Sequence, residues 1–266
     1  KPIAMRTRVF RARYGPWAVV AGASEGIGAA FSEALAEKGI NLILIARRAE
    51  KLSEQAERIK SKHKVKIQEC VLDLNDLSQV QAFVETLESE IGLFVYNAAY
   101  SPIGYFKDHN LKDLQKIISV NIQTPLYLIK SLSQPMLERE RGGIIVMSSL
   151  SGTQGSPKIA TYAASKSFNT ILAEGLWHEL KEQNVDVLSC IAGAVRTPGY
   201  MNSAKQKDAP GTLDPDQVAK EALEALGKGP SVIPGSFNKF AQFVMSRLLS
   251  RKRAVQIMHN NTKDLQ

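Results

Sequence analysis

Tyr162 and Lys166 stand four residues apart in "TYAASK", Thr161 to Lys166, with only Ala163, Ala164 and Ser165 between them. On a helix, residues i and i+4 share one face. A phenol and an ammonium then point the same way, over small side chains that let another molecule approach. That arrangement is either a proton donor with its own cation or an ordinary surface helix. A free tyrosine has a pKa of roughly 10 and exchanges protons poorly near neutrality. Lowering it by about 3 units takes about 4 kcal/mol of preference for the phenolate, much of which a fixed ammonium at Lys166 is expected to supply. Ser149, at the end of "GGIIVMSS", and Asn121, in "VNI", are polar residues elsewhere in the chain. Taken singly, Ser149 reads as a strand-end hydroxyl and Asn121 as a helix breaker before Pro125.

A second cluster has phosphate chemistry. "AGASEGIGAAF" places Gly22, Gly26 and Gly28, with Ser24, Glu25 and Ile27 between them, after an apolar run and before a helical one. Glycines there allow a tight turn and bring backbone N–H groups close to phosphate at a helix N-terminus. The spacing G-x-x-x-G-x-G differs from G-x-G-x-x-G. At the end of the next apolar run, where an acid would hold a ribose 2′-hydroxyl, stand Ala46, Arg47 and Arg48. A guanidinium there suits a 2′-phosphate and points to NADP(H). The other reading of both arginines is solvated loop charge.

The elements that must position these residues alternate. Runs at 17–22, 41–46, 65–72, 93–98, 142–149, 185–193 and 231–233 read as strands. Stretches 26–38, 49–62, 76–90, 110–140 (broken at Pro125 or Pro135), 161–183 and 215–227 read as helices. This rhythm predicts an α/β fold: a doubly wound parallel sheet of about seven strands, with helices on both faces, in one domain. Residues 194–214 are irregular and rich in small and polar types, as a substrate loop would be.

Of the 266 residues, 44% are hydrophobic and 23% charged, which is ordinary globular composition. No apolar run approaches the roughly 20 residues of a membrane span. Cys70 and Cys190 form no disulfide framework and suit a reducing cytoplasm. The four histidines are scattered, so no metal is expected. The net charge of +8 is unevenly spread: +5 lies in residues 1–15, +5 in 238–266, and the body carries −2. That distribution argues against a nucleic-acid partner. It divides the chain into a basic arm over 1–15, a core over 16–235 and a basic helical extension over 236–266. The extension reads as one helix to about Leu249 followed by Arg251, Lys252 and Arg253. It is read as a helix packed on its own subunit or an oligomer partner, as an interfacial helix making weak contact with anionic lipid, or as a dock for an acidic carrier.

The chain resembles the short-chain dehydrogenase/reductase family over roughly residues 16–235. Besides the glycine turn and "YAASK", it shows Asp73-Leu74, "NAA" at 97–99, "VNI" at 120–122, "SSLSG" at 148–152 and "AGAVRTP" at 192–198. The resemblance implies a catalytic tetrad of Asn121, Ser149, Tyr162 and Lys166. Lys166 would also hold the ribose hydroxyls, and Asn121 a water that passes protons to it. Asp73 and Leu74 would lie by the adenine, Asn97, Ala98 and Ala99 beside the ribose, and Gly193, Val195 and Thr197 on the nicotinamide side. Departures at Ala21, Ala99 and Ala192-Gly193 touch support of the cofactor rather than the tetrad. The expected activity is hydride transfer between NADP(H) and a small-molecule carbonyl or secondary alcohol, a fairly apolar ketone, acyl or steroid-like compound. Tyr100, Leu150, Gln154, Tyr200 and Met201 are the pocket candidates, with Ser149 holding the substrate oxygen. The alternative is a cofactor-binding scaffold without turnover. Family members commonly pair through helices beside the fifth strand. Phe168, Ile171, Leu172, Leu176 and Trp177 exceed what the sheet should need there, so a homodimer or homotetramer is expected.

Overall fold

The computed structural model describes residues 3–203 and 208–263. In chain order it contains α1 (Ile3–Tyr14), β1 (Trp17–Ala21), α2 (Gly26–Glu37), β2 (Asn41–Ala46), α3 (Ala49–Lys62), β3 (Ile67–Val71), α4 (Leu77–Glu85), β4 (Ile91–Tyr96) and α5 (Leu111–Ile118). A π-helical turn (Ser119–Gln123) joins α5 to α6 (Thr124–Glu138). Then follow β5 (Gly142–Ser149), α7 (Ala160–Glu179), β6 (Val185–Ala192), α8 (Pro198–Ser203), α9 (Pro215–Ala225), β7 (Ser231–Val232), α10 (Ser236–Phe243) and α11 (Arg251–Thr262).

The seven strands form one sheet in the order β3-β2-β1-β4-β5-β6-β7. Every pairing is parallel, with Ala21 opposite Ile45 on one side and Tyr96 on the other, and Ser149 opposite Ala192. Alternate side chains serve opposite faces. Leu42 and Leu44 join Phe31, Leu35, Leu52 and Val218 in one core. Ile43 and Ile45 join Phe83, Leu128, Leu132 and Met136 in the other. The strand order reverses between β1 and β4, and a doubly wound sheet opens its crevice there, beyond the carboxyl ends of the strands.

Three local differences from the sequence reading have physical causes. The 110–140 stretch breaks at neither proline. Pro125 sits in the first turn of α6, where a missing N–H costs nothing. The interruption is instead the π-helical turn, whose Val120 carbonyl accepts a hydrogen bond from the buried Tyr96 hydroxyl. The basic stretch 1–15, expected as an arm, contains helix α1. It ends in a buried Tyr14 whose hydroxyl donates to Asp186 Oδ2 at 2.6 Å, beside an ion pair from Arg13 to the same oxygen at 2.7 Å. The tail's first helix stops at Leu249 as expected, after running into a second π-helical turn (Val244–Leu248), but the basic stretch beyond it is a second helix, α11, capped by Ser250, which accepts from Arg253 N.

Candidate active site

The glycine turn closes because its glycines lack side chains. Gly22 has φ +81°, and a Cβ there would lie 2.8 Å from Ala98 N. A Cβ on Gly28 would meet the Gly22 carbonyl oxygen at 1.9 Å, so any side chain would force strand and helix apart. Asn97 fastens the same turn by donating from Nδ2 to Gly22 O at 3.1 Å. Glu25, the N-cap of α2, makes no side-chain hydrogen bond to the first-turn amides. Those amides sit behind Gly26 and Ile27, which line a groove of about 320 Å³ at the switch point.

Fourteen of the residues singled out in the sequence line this groove. They are Gly22, Ser24, Glu25, Gly26 and Ile27 from the turn, Arg47 and Arg48 after β2, Asp73 and Leu74 after β3, Asn97, Ala98, Ala99 and Tyr100 after β4, and Thr197. Gly28 lies beneath the turn. Gly193 and Val195 do not line the groove: Gly193 packs on Asn238, and buried Val195 bridges to Leu213. Ala46, marked in the sequence as the place beside the ribose, lines the groove too, while sequence reasoning missed Leu72, Lys116, Val120 and Gly199. Helical spacing from Lys116 to Val120, one turn apart, was the signal available for two of them.

The two arginines have different surroundings. Arg48 pairs with Glu25 Oε1 at 2.7 Å and reaches Ser24 Oγ at 3.4 Å, while Lys51 holds Glu25 Oε2 at 3.1 Å. Partial burial pushes the Glu25 carboxyl up, but hydrogen bonds from Arg48 and Lys51 hold it below its ordinary value overall. Arg47 forms no ion pair with a described residue, and its charge acts on the neighbouring Tyr100. The Tyr100 hydroxyl donates to Asp113 Oδ1 at 2.9 Å, and Lys116 Nζ lies 4.6 Å from the centre of its ring. The groove wall thus carries two cations near one phenol, with neither in an ion pair among the described residues.

Asn121 sits in the π-helical turn, fully buried. Its Nδ2 donates to Tyr100 O and Ser165 Oγ, both at 3.0 Å, and its Oδ1 accepts from Tyr100 N at 2.8 Å. It therefore clamps the strand-end loop onto α7. Lys166 is buried and donates from Nζ to Met147 O at 2.9 Å, with Nζ 5.5 Å from the Tyr162 ring centre. Burial pushes its pKa down to about 8. Burial likewise pushes Tyr162 up to about 12, with the Ser149 hydroxyl acting in the lowering direction. The expected net lowering of Tyr162 by Lys166 is thus not a property of these side chains by themselves. Desolvation of the phenolate is the larger cause, the Ser149 hydroxyl the opposing one, and Tyr162 is held as a phenol. Ser149 Oγ accepts from Ser151 N at 3.2 Å and from Ser151 Oγ at 2.9 Å. Tyr162 opens onto a narrow slot lined by Phe106, His109, Leu114, Ile117 and Ile159.

The proposed pocket residues divide. Tyr100 belongs to the cofactor groove. Gln154 is buried and turned inward, donating to Leu150 O at 3.2 Å and accepting from Thr153 Oγ1 at 2.6 Å. Tyr200 and Met201 lie on α8, with Tyr200 OH accepting from Ala209 N at 3.0 Å and Met201 exposed. The 194–214 loop is tied at its base by Arg196, which pairs with Asp208 at 2.7 Å and Asp214 at 2.8 Å; its residues 204–207 lie outside the described residues.

The model of the short chain dehydrogenase family matches residues 16–208. The chain belongs to that family of oxidoreductases. It is similar to a 7beta-hydroxysteroid dehydrogenase of Clostridium sardiniense, 32% identical over 233 residues covering 86% of this chain and 89% of that one. It is also similar to hydroxysteroid dehydrogenase-like protein 1 of Gallus gallus, 34% identical over 89% of this chain and 73% of that one. A solved 7beta-hydroxysteroid dehydrogenase superposes with a TM-score of 0.87 at 28% identity, over 94% of this chain and 98% of the other. A short-chain dehydrogenase from Sphingobium yanoikuyae in complex with NADPH, 23% identical over 83% of this chain and 87% of that one, shares the fold at a TM-score of 0.76. The family binds a nicotinamide cofactor, and the glycine turn, its open first-turn amides and the groove fit one. Among the described residues no group of His, Cys, Asp and Glu could hold a metal ion, and no helix is long and apolar enough to cross a membrane.

Proposed function

We propose that this protein is an NADP(H)-dependent carbonyl reductase or alcohol dehydrogenase acting on a fairly apolar, steroid-like ketone or secondary alcohol. The observation that carries the reading is the meeting of buried Lys166, Tyr162 and Ser149 at the carboxyl end of β5, in the same parallel sheet whose β1 ends in the glycine turn. The steroid-like class is supported by the relatives named 7beta-hydroxysteroid dehydrogenase.

When bound, the nicotinamide supplies or accepts the hydride. In the reduction direction Tyr162 gives its phenolic proton to the carbonyl oxygen as hydride reaches the carbon. Ser149, which accepts from Ser151, donates its own O–H to that oxygen and fixes its angle. Lys166 stabilises the phenolate left behind. Asn121 holds the loop after β4 against α7, so the cofactor wall and the catalytic helix keep one geometry. Asp73, Asn97 and Thr197 orient the adenosine, ribose and carboxamide ends.

NADP(H) is favoured because Arg47 faces the groove with no described carboxylate to neutralise it, and Lys116 adds a second cation near Tyr100. Arg48 is already committed to Glu25. Phe168 and Ile171, both exposed on α7, support a homodimer or homotetramer. The free cysteines Cys70 and Cys190 suit the cytoplasm. The test is a panel of steroid, acyl and aryl ketones followed by NADPH absorbance. Turnover on at least one class is expected. NADPH binding with no turnover across the panel would instead make the chain a cofactor-binding scaffold.

A further inference from the structure

The tail borders the substrate side of the molecule and carries an apolar row that the fold leaves in water. Asn238 anchors α10 from beneath, its buried Nδ2 donating to Gly211 O at 3.0 Å and Pro234 O at 3.1 Å. α11 is anchored at the other wall. Arg251 donates to Thr153 O at 2.8 Å, Val255 lies against Gly155, and Ala254 is buried. The tail thus spans from the 194–214 loop to the loop that follows Ser149. Its outward side shows Phe237, Phe240, Phe243 and Leu248, each between 52% and 66% exposed. Large apolar side chains gathered this way, rather than scattered singly, mark a contact surface.

The charge around that row selects the occupant. Residues 236–263 contain no acid. Arg247, Lys252 and Arg253 are exposed and form no ion pair with a described residue. Arg251, Lys252 and Arg253 also fill the first turn of α11, where the helix macrodipole opposes positive charge. A second copy meeting this face across a twofold axis would set the same cations against themselves. An anionic partner resolves both conflicts. A row of three phenyl rings and a leucyl side chain flanked by cations is the pattern that inserts below lipid headgroups while binding their charge.

We propose that α10 and the start of α11 form a docking face for an anionic lipid surface, placed so that the substrate mouth opens beside the bilayer. The face itself does not depend on the catalytic reading, and its test needs no turnover. Full-length protein is sedimented with vesicles of phosphatidylcholine alone and with about one-third phosphatidylglycerol, at low and high salt. Binding is expected to the anionic vesicles, to fall strongly in high salt, and to be near zero on phosphatidylcholine. Each cation near the surface contributes roughly fivefold, so Arg247→Glu with Lys252→Glu should lower partition by more than about 25-fold. Phe240→Ser with Phe243→Ser should abolish it at any salt, with circular dichroism confirming the fold. No sedimentation with anionic vesicles at low salt overturns the proposal. So does equal binding to both vesicles. A mass in light scattering that halves in the Phe240→Ser/Phe243→Ser variant would assign the face to a second copy instead.

Discussion

The cofactor side and the substrate side of this molecule are held together by different forces. Between β1 and β4 the shape is set by backbone: Gly28 fits under the Gly22 carbonyl, Asn97 ties the turn, and the sheet register fixes the rest. From β5 onward it is set by side chains reaching across the chain, as Asn238 does to Gly211 and Arg251 to Thr153. Backbone-built sites tolerate little change in residue type but depend on few partners. A wall assembled from tail contacts can change its occupant through one or two substitutions. The lesson is that cofactor and substrate choice can vary separately in such a fold, because they rest on separate kinds of contact.

Several substitutions can break or sharpen that contrast. The largest effect is expected at Tyr162, the proposed acid. Tyr162→Phe removes the transferable proton and should lower kcat by about 10²–10⁴-fold while leaving NADPH affinity in place. Isothermal titration together with initial rates measures both, and near-wild-type turnover would dismiss the acid role. Next comes the contrast between the arginines. Arg47→Asp should weaken NADPH about 10- to 150-fold relative to NADH, the worth of a charge-assisted hydrogen bond of about 1.5–3 kcal/mol. Arg48→Asp should mainly release Glu25 and change that ratio far less. Equal effects would mean that the ion pair to Glu25 does not distinguish them.

A smaller effect concerns pH. Lys166, depressed to about 8, loses its charge above that value, while Tyr162 at about 12 is still protonated. Reduction should therefore slow above about pH 8, as the support for the departing phenolate is lost rather than the proton itself. Lys166→Arg keeps the charge and should carry the falling limb upward, even if the rate drops. A limb that stays at the same pH would point to another group. The smallest effect is expected at Gln154, whose amide serves its own turn. Gln154→Ala should leave kcat within a few-fold and act chiefly on stability, by about 1–2 kcal/mol for the lost hydrogen bonds.

The same division decides what could be read before the structure. β2 and β5 fall on "NLILIA" and "GGIIVMSS" as marked, because buried parallel strands need unbroken apolar runs. The glycine turn was legible because its geometry leaves no other residue. For Val195 and Gly193, expected beside the cofactor by resemblance, the sequence did not show that one bridges to Leu213 and the other supports Asn238, partners that lie 18 and 45 positions away. No local spacing encodes such pairs. The role of Tyr14 was hidden for the same reason, since its partner Asp186 is 172 positions along the chain. The burial of Tyr162 was not legible, because spacing shows which charge is near a phenol but not how much water both have lost.

The π-helical turn at Ser119–Gln123 carries a further consequence. A wide turn holds one residue more than the helix around it needs. Asn121 is aimed by that surplus, so its direction is a matter of chain length as well as residue type. Deleting one residue such as Gln123 would let the segment rewind as an ordinary helix. The helices on either side would keep their facing, while the residues of the widened turn would be redirected, by up to about 100° for a one-residue shift along an α-helix. The amide of Asn121 would leave Ser165 with its identity unchanged. Insertions and deletions in this short stretch should therefore be as damaging as replacing the asparagine, although none of them alters a catalytic side chain.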